Sequence, residues 1–76
     1  MSFALGRREI AHFHGDTRLD VRLTCEEIRK RTSSRALDPR FVTRGGRSEW
    51  VEIRLADLHD LAFAVSVVEE AVRANQ

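Results

Sequence analysis

The strand that decides the fold is Arg18-Leu19-Asp20-Val21-Arg22-Leu23, in which polar and apolar residues alternate. Successive side chains of a strand point to opposite faces, so the alternation predicts one face on a core and the other in water. A strand of this kind needs paired neighbours and a covering layer, and the flanking sequence must supply both.

Further strands are predicted on both sides of this one. Two short apolar-leaning runs precede it at residues 2–5 and 9–14, and Gly6-Arg7-Arg8 between them predicts a hairpin turn. Residues 15–17 mark a second turn. Downstream, runs at 40–44 and 49–55 flank Gly45-Gly46, a pair whose freedom to adopt positive φ suits another tight turn.

Two helices complete the predicted order. Thr24-Cys25-Glu26-Glu27 is a capping box, and the few apolar residues after it predict a helix on the surface. Asp57 is predicted to cap a longer C-terminal helix, which carries two apolar stripes at helical spacing. The first stripe is Leu58, Leu61, Ala62, Val65 and Val72, and the second is Phe63, Val67 and Ala71. Because the two together are wider than a small sheet needs, the helix is predicted to be deeply buried or to meet a second subunit.

The sequence therefore predicts a single α+β domain over residues 1–76, with βββ-α-ββ-α order and the long C-terminal helix packed on a small antiparallel sheet. A chain this short buries only about 60% of its unfolded surface, which favours oligomerisation. A net charge of +1 argues against a nucleic-acid-binding composition. With no segment of membrane-span length and no signal-peptide pattern, we expect a cytoplasmic protein without a cofactor.

The segment His12-Phe13-His14-Gly15-Asp16 holds two imidazoles and a carboxylate within five residues, the highest density of potentially catalytic or metal-binding side chains in the sequence. Residues at i and i+2 of a strand point the same way, so His12 and His14 share a face, with Asp16 just beyond at the turn. Two imidazoles and a carboxylate are ligand types for zinc, nickel or iron. Two interpretations stay open: a small-molecule- or metal-dependent enzyme using these residues, or a partly solvated face that ends in a turn. No metal ligand and no catalytic residue is assigned.

Trp50 shares one face of the strand 49–55 with Arg54, while Val51, Ile53 and Leu55 share the other. If the apolar face packs on the helices, the single tryptophan lies on a helix-free face, which suits a subunit interface or a small-molecule pocket. If the two faces are the other way round, Trp50 belongs to the core. The leading hypothesis is a non-enzymatic binding or assembly module, a homodimer that uses the Trp50 face or the C-terminal helix. The candidate ligand-binding or interface residues are His12, His14, Asp16, Arg40, Trp50 and Arg54.

A third hypothesis concerns the arginines around the second glycine turn. Arg40, Arg44 and Arg47 surround this predicted hairpin tip, and arginine forks match phosphate oxygens. Weak phosphate or nucleic-acid binding is therefore a further alternative, although the sheet lacks the strand-paired aromatic residues of an RNA-binding surface. The sequence of the predicted strand 40–44 leaves open whether Phe41 or Val42 faces the core.

A family resemblance rests on the segment LGRREIAHFHGD at residues 5–16, the strand 19–21, Asp38-Pro39, the strand 49–51 and the apolar C-terminal helix. Over about residues 3–74 the chain resembles the bacterial luciferase-domain family, small proteins of unknown function. The resemblance implies an α+β fold and places the family motif on His14, Gly15, Asp16 and Trp50. It does not imply light emission.

Two departures from the family pattern stand out. Family members often carry a histidine pair after the proline, where this chain has Arg40-Phe41, so histidine chemistry shared with the family would be incomplete here. They also usually carry more N-terminal sequence, typically with a helix. The resemblance thus implies that the helix-free face is where such a segment packs, or where a homodimer forms.

Overall fold

The structure is a computed structural model that describes residues 2–33, 38–45 and 47–76. Its elements follow the predicted βββ-α-ββ-α order, which confirms the small α+β fold. The strands and helices are β1 Ser2–Leu5, β2 Arg8–His14, β3 Arg18–Arg22, α1 Cys25–Thr32, β4 Phe41–Thr43, β5 Trp50–Arg54 and α2 His59–Ala74. Neither helix is both long and apolar enough to cross a bilayer within these described ranges.

All strand pairs in the sheet are antiparallel, and the spatial order is β1-β2-β3-β5-β4. The β1–β2, β2–β3 and β4–β5 pairs are hairpins, as predicted, whereas β3 pairs with β5 across the connection that contains α1. Gly6 and Gly15 take φ values of +63° and +65° in the first two turns, where a residue with a Cβ would be strained. Gly46 of the third predicted turn lies outside the described residues.

The core lies on one face of the sheet, beneath the two helices. Its sheet side consists of Ala11, Leu19, Val21, Phe41, Val51 and Ile53, all buried. Leu19 lies opposite Ile53 and Val21 opposite Val51, so the apolar residues of the central strands form direct cross-strand pairs. Strand β4 contributes Phe41 to this core, and its neighbour Val42 points to the opposite, helix-free face.

The second of the two apolar stripes of α2 is the one that packs on the sheet. Val67 and Ala71 are fully buried together with Ala64, while Leu61 and Val65 of the first stripe are exposed. Alanine side chains allow a helix backbone to approach a sheet closely, which accounts for the orientation of α2. The large residues of the first stripe are left facing solvent.

The starts of the two helices differ in how they are capped. Thr24 is the N-cap of α1 and its hydroxyl accepts from the Glu27 amide, as predicted, at 3.3 Å. In α2 the N-cap position is Leu58 rather than Asp57, although the Asp57 carboxylate accepts from the His59 amide at 2.8 Å. Asp57 therefore caps the His59 amide at the start of α2 but does not occupy the N-cap position itself.

Candidate functional site

Three polar side chains converge on the helix-free face of the sheet: His12, His14 and Asp20. The two histidines lie two residues apart on β2 and so point the same way, and Asp20 on β3 is the cross-strand partner of His12. One nitrogen or oxygen atom from each residue lies within 4.8 Å of the other two. We call these three residues the His–His–Asp cluster.

The distances within this cluster are short. The Nε2 atoms of His12 and His14 are 2.7 Å apart, and His14 Nε2 is also 2.7 Å from Asp20 Oδ2. His12 Nε2 lies 3.5 Å from the same carboxylate oxygen. Each neutral imidazole carries one lone pair and one N–H, so two ring nitrogens at this distance repel unless a proton or a cation lies between them.

Asp20 is the buried member of the cluster, with 1% of its surface exposed. Its Oδ2 accepts a hydrogen bond from Arg44 at 2.8 Å, and Arg18 Nε lies 3.5 Å from Oδ1. Among the described residues, this buried Oδ1 atom has no hydrogen-bond partner. A buried carboxylate is costly unless cations and donors surround it, so its position depends on the arginines and histidines nearby.

A β-bulge brings a second carboxylate to His12. Phe3 and Ala4 are adjacent on β1 but pair with Ala11 and Glu9 on β2, which leaves Ile10 as an extra residue. Residues three apart in a regular strand point to opposite faces, and the extra residue reverses this alternation. Glu9 therefore reaches the face of His12, where its Oε1 lies 2.9 Å from His12 Nδ1.

The Trp50 side chain lies next to the cluster, on the helix-free face where the alternation of strand 49–55 predicts it. The ring centroids of Trp50 and His12 are 5.5 Å apart, and the Arg22 guanidinium lies 6.0 Å from the Trp50 centroid. Arg22 also pairs with Glu49 at 2.9 Å. The half-buried tryptophan thus lies beside His12 and Arg22, and its fluorescence can report on events at His12.

The sequence model of the Luciferase domain family matches residues 7–71, which is most of the chain. The chain belongs to this family. The match includes every residue of the His–His–Asp cluster together with Glu9 and Trp50. This Luciferase domain matched no curated protein and no solved structure.

The structure places the predicted Asp16 outside the cluster of this Luciferase domain. Strand β2 ends at His14, and Gly15 at φ +65° turns the chain away, so Asp16 lines a depression beside Phe13 and Leu58 instead. The predicted Arg54 is exposed and pairs with Glu52 of its own strand at 3.2 Å. Asp20, and not Asp16, is therefore the carboxylate that meets the two histidines.

Asp20 is absent from the predicted site because alternation alone does not show the register between β2 and β3. A signal for it existed: a three-residue turn at 15–17 places His14 opposite Arg18, and counting two residues outward places His12 opposite Asp20. Glu9 carries no such signal. Its approach to His12 depends on the bulge at Ile10, and the residue types around Ile10 do not indicate that β2 contains an extra residue.

Arg44 and Arg47, from the phosphate hypothesis, line one cavity of about 340 Å³ beside Trp50. Arg29 of α1 lines it as well, so three guanidinium groups border the same space. Arg44 also pairs with Asp20, whereas among the described residues neither Arg29 nor Arg47 forms an ion pair. Arg40 is not part of this cavity, since it lies at the opposite end of β4.

Arg40 instead links two carboxylates on the other side of the domain. It donates to Asp38 Oδ1 from Nε at 2.9 Å and to Asp60 Oδ1 from Nη1 at 2.7 Å. Hydrogen bonds from Arg40 lower the pKa of Asp38 to about 2. The pKa of Asp60 is lowered by the Ala56 amide, which donates to its Oδ2 at 2.6 Å, and by Arg40. This arrangement joins the start of β4 to the start of α2.

These lowered pKa values predict a specific acid sensitivity. In the folded state the pKa of Asp38 and Asp60 lies below the ordinary value of 3.8, so the unfolded chain binds more protons as the pH falls. The contribution of Asp38 to stability is complete above about pH 5 and is lost as the pH falls through about 2, and that of Asp60 is lost in the same direction as the pH falls below its ordinary pKa. We expect the urea midpoint to fall between pH 4 and pH 2, and this fall to be shallower in Arg40→Gln.

The matched control for this acid titration is Arg54→Gln, which removes an exposed arginine of the same charge. It should keep the wild-type slope of urea midpoint against pH. Equal slopes for wild type and Arg40→Gln would show that Arg40 does not set the acid sensitivity.

Proposed function

We propose that the chain is a small assembly module that forms a homodimer through an apolar surface beside α2. The observation that carries this proposal is a group of exposed large hydrophobic residues on one side of the domain. Their exposed fractions are Phe3 42%, Leu58 81%, Leu61 43% and Val65 54%. We call these four residues the apolar surface.

The members of the apolar surface are linked to one another. Phe3 contacts Phe13 edge-to-face at a centroid distance of 6.3 Å, and Phe13 lines one open depression together with Leu58 and Leu61. Val65 follows Leu61 by four residues and so lies on the same side of α2. Large apolar residues scattered singly over a surface need no explanation, but a connected group is typical of an interaction site.

The exposed side of α2 at this surface carries few ionisable groups. Between Leu58 and Ser66 the helix contains no Lys, Arg or Glu, and its single Asp, Asp60, is buried. On the exposed side of the first two turns His59 is the only ionisable residue, while Asp16 and Asp57 line the neighbouring depression.

A second copy of the chain is the partner that fits these features. A net charge of +1 gives two copies little mutual repulsion, and a 76-residue domain gains much from added burial. In a twofold interface each residue is buried twice, and burying one large apolar side chain completely is worth about 1.5–3 kcal/mol. This homodimer belongs to the leading hypothesis drawn from the sequence, with the helix rather than the Trp50 face as its interface.

Molar mass measured by light scattering on a sizing column, over a concentration series of the tag-free chain, tests the proposal. We expect twice the chain mass of 8.7 kDa, falling toward one chain mass on dilution. Val65→Asp should shift the protein to the monomer because it places a charge at the centre of the contact.

The control for the mass measurement is Ser66→Asp, which adds the same charge to the next residue of α2, on another side of the helix. It should keep the wild-type mass. A wild-type protein that stays at one chain mass at every concentration would refute the homodimer.

A further inference from the structure

We infer that His12, His14 and Asp20 bind one divalent first-row transition-metal ion, with Glu9 supporting His12 from behind. This site lies on the helix-free face, so it does not depend on the homodimer proposed for the α2 side.

The spacing of the three cluster atoms is within a few tenths of an ångström of what one ion requires. Atoms that each lie about 2.0–2.2 Å from the same ion are separated from one another by about 2.8–3.1 Å at octahedral angles and about 3.3–3.6 Å at tetrahedral angles. In the cluster the three separations are 2.7, 2.7 and 3.5 Å. A single N–H on His14 Nε2 can donate to His12 Nε2 or to Asp20 Oδ2 but not well to both, whereas a cation can be bound by all three atoms at once.

The hydrogen bond behind His12 has the form seen at metal sites. A metal-binding imidazole usually donates its other ring N–H to a carboxylate, which fixes the tautomer and raises the basicity of the coordinating nitrogen. Glu9 Oε1 lies 2.9 Å from His12 Nδ1, and this contact leaves the Nε2 lone pair of His12 directed at the cluster. The bulge at Ile10 brings Glu9 to the same face of the sheet as His12 and so makes this contact possible.

Asp20 supplies the negative charge that a cation needs. It is 1% exposed, one of its oxygens points into the cluster, and the other has no hydrogen-bond partner among the described residues. Arg44 donates to the same Oδ2 atom, but a carboxylate oxygen has more than one acceptor position. Arg44 is also partly exposed, so its guanidinium can turn to solvent when an ion binds.

The ligand set indicates the class of ion. Imidazole nitrogen with one carboxylate suits Zn²⁺, Fe²⁺, Co²⁺ or Ni²⁺, whereas Mg²⁺ and Ca²⁺ prefer oxygen ligands alone. All three ligands come from two adjacent strands in the middle of the sheet, so their positions are fixed before binding. They approach from one side, and the solvent side of the ion is left open to water or another ligand.

Titration of the tag-free chain with Ni²⁺, Co²⁺ and Zn²⁺ chlorides tests the site. Ni²⁺ and Co²⁺ should quench the fluorescence of Trp50, because its ring lies 5.5 Å from that of His12. Calorimetry with Zn²⁺ should give one ion per chain, and Mg²⁺ should not compete. His14→Ala should weaken binding by about 100-fold or more and Glu9→Gln by about 10-fold, since loss of an outer partner alone costs about 10–100-fold.

Two control variants test whether any loss of metal binding is specific to the His–His–Asp cluster. His59→Ala removes the third histidine, and Asp16→Asn removes the carboxylate that the sequence had paired with His12 and His14. Both should bind like wild type. His14 is exposed and outside the core, so its variant should stay folded by circular dichroism. Absence of binding by the wild type, unchanged binding by His14→Ala, or an equal loss in either control would overturn the assignment.

Discussion

Replacing Ala71 with aspartate is expected to unfold most of the chain, whereas the same replacement at Ala62 should leave it folded. Ala71 is fully buried between α2 and the sheet, and Ala62 is exposed on the outer side of the same helix. A carboxylate at Ala71 would be buried without a partner and without space, at a cost of about 4 kcal/mol or more. A chain of 76 residues has a total stability of only about 4–11 kcal/mol.

Urea denaturation followed by far-ultraviolet circular dichroism measures both Ala→Asp variants. The loss of helix propensity is the same at the two positions, at most about 0.7 kcal/mol. The helix dipole favours an aspartate in the first turn and disfavours one in the last by about 0.3–1 kcal/mol each, so only a difference larger than about 2 kcal/mol reports burial. If Ala62→Asp were the more damaging variant, α2 would present its first apolar stripe to the sheet and the orientation described above would be wrong.

Truncating Phe41 to alanine is the second change expected to have a large effect, a loss of about 3–5 kcal/mol in the free energy of unfolding. Phe41 is 3% exposed, lies opposite Ile53 and packs in the core from an edge strand of only three residues. Removal of its ring leaves a cavity that so short a strand cannot close by shifting without losing its pairing with β5.

Val42→Ala tests the same strand on its other face. Val42 is half-buried on the helix-free face, so we expect a loss of about 1 kcal/mol from packing and strand propensity. Urea denaturation at a concentration below that of dimerisation measures both variants. A larger loss for Val42→Ala than for Phe41→Ala would mean that β4 is shifted by one residue, since a shift of one exchanges the two faces.

The order of the elements could be read from the sequence because it depends on local chemistry. Alternation at 18–23 and 49–55, the glycines of the turns and the Thr24 cap each act within a few residues. The sequence left open whether Phe41 or Val42 faces the core. In a strand of three residues the alternation is too short to decide, and the pairing with β5 decides it instead.

The orientation of α2 could not be read in the same way. Both of its stripes are apolar, so hydrophobicity alone does not rank them, and Leu58, Leu61 and Val65 of the first stripe are left exposed. The buried side of α2 carries Ala64 and Ala71, whose small side chains let the helix lie close to the sheet. Hydrophobicity does not report this difference in side-chain size. The candidate site was half predicted for a similar reason, since the His12 and His14 pair is local, while Asp20 and Glu9 join it through pairing between strands.

The two edges of the sheet also limit how far copies of this chain can assemble. An exposed edge strand can add further strands without end, which is how soluble proteins begin to form fibrils. Here one edge, β4, has three residues, and the other, β1, has four and pairs with β2 in a register that the bulge at Ile10 interrupts. Short and irregular edges are poor templates for strand addition. Concentrated solutions of the protein should therefore contain discrete particles of fixed size and should not gel or bind amyloid dyes.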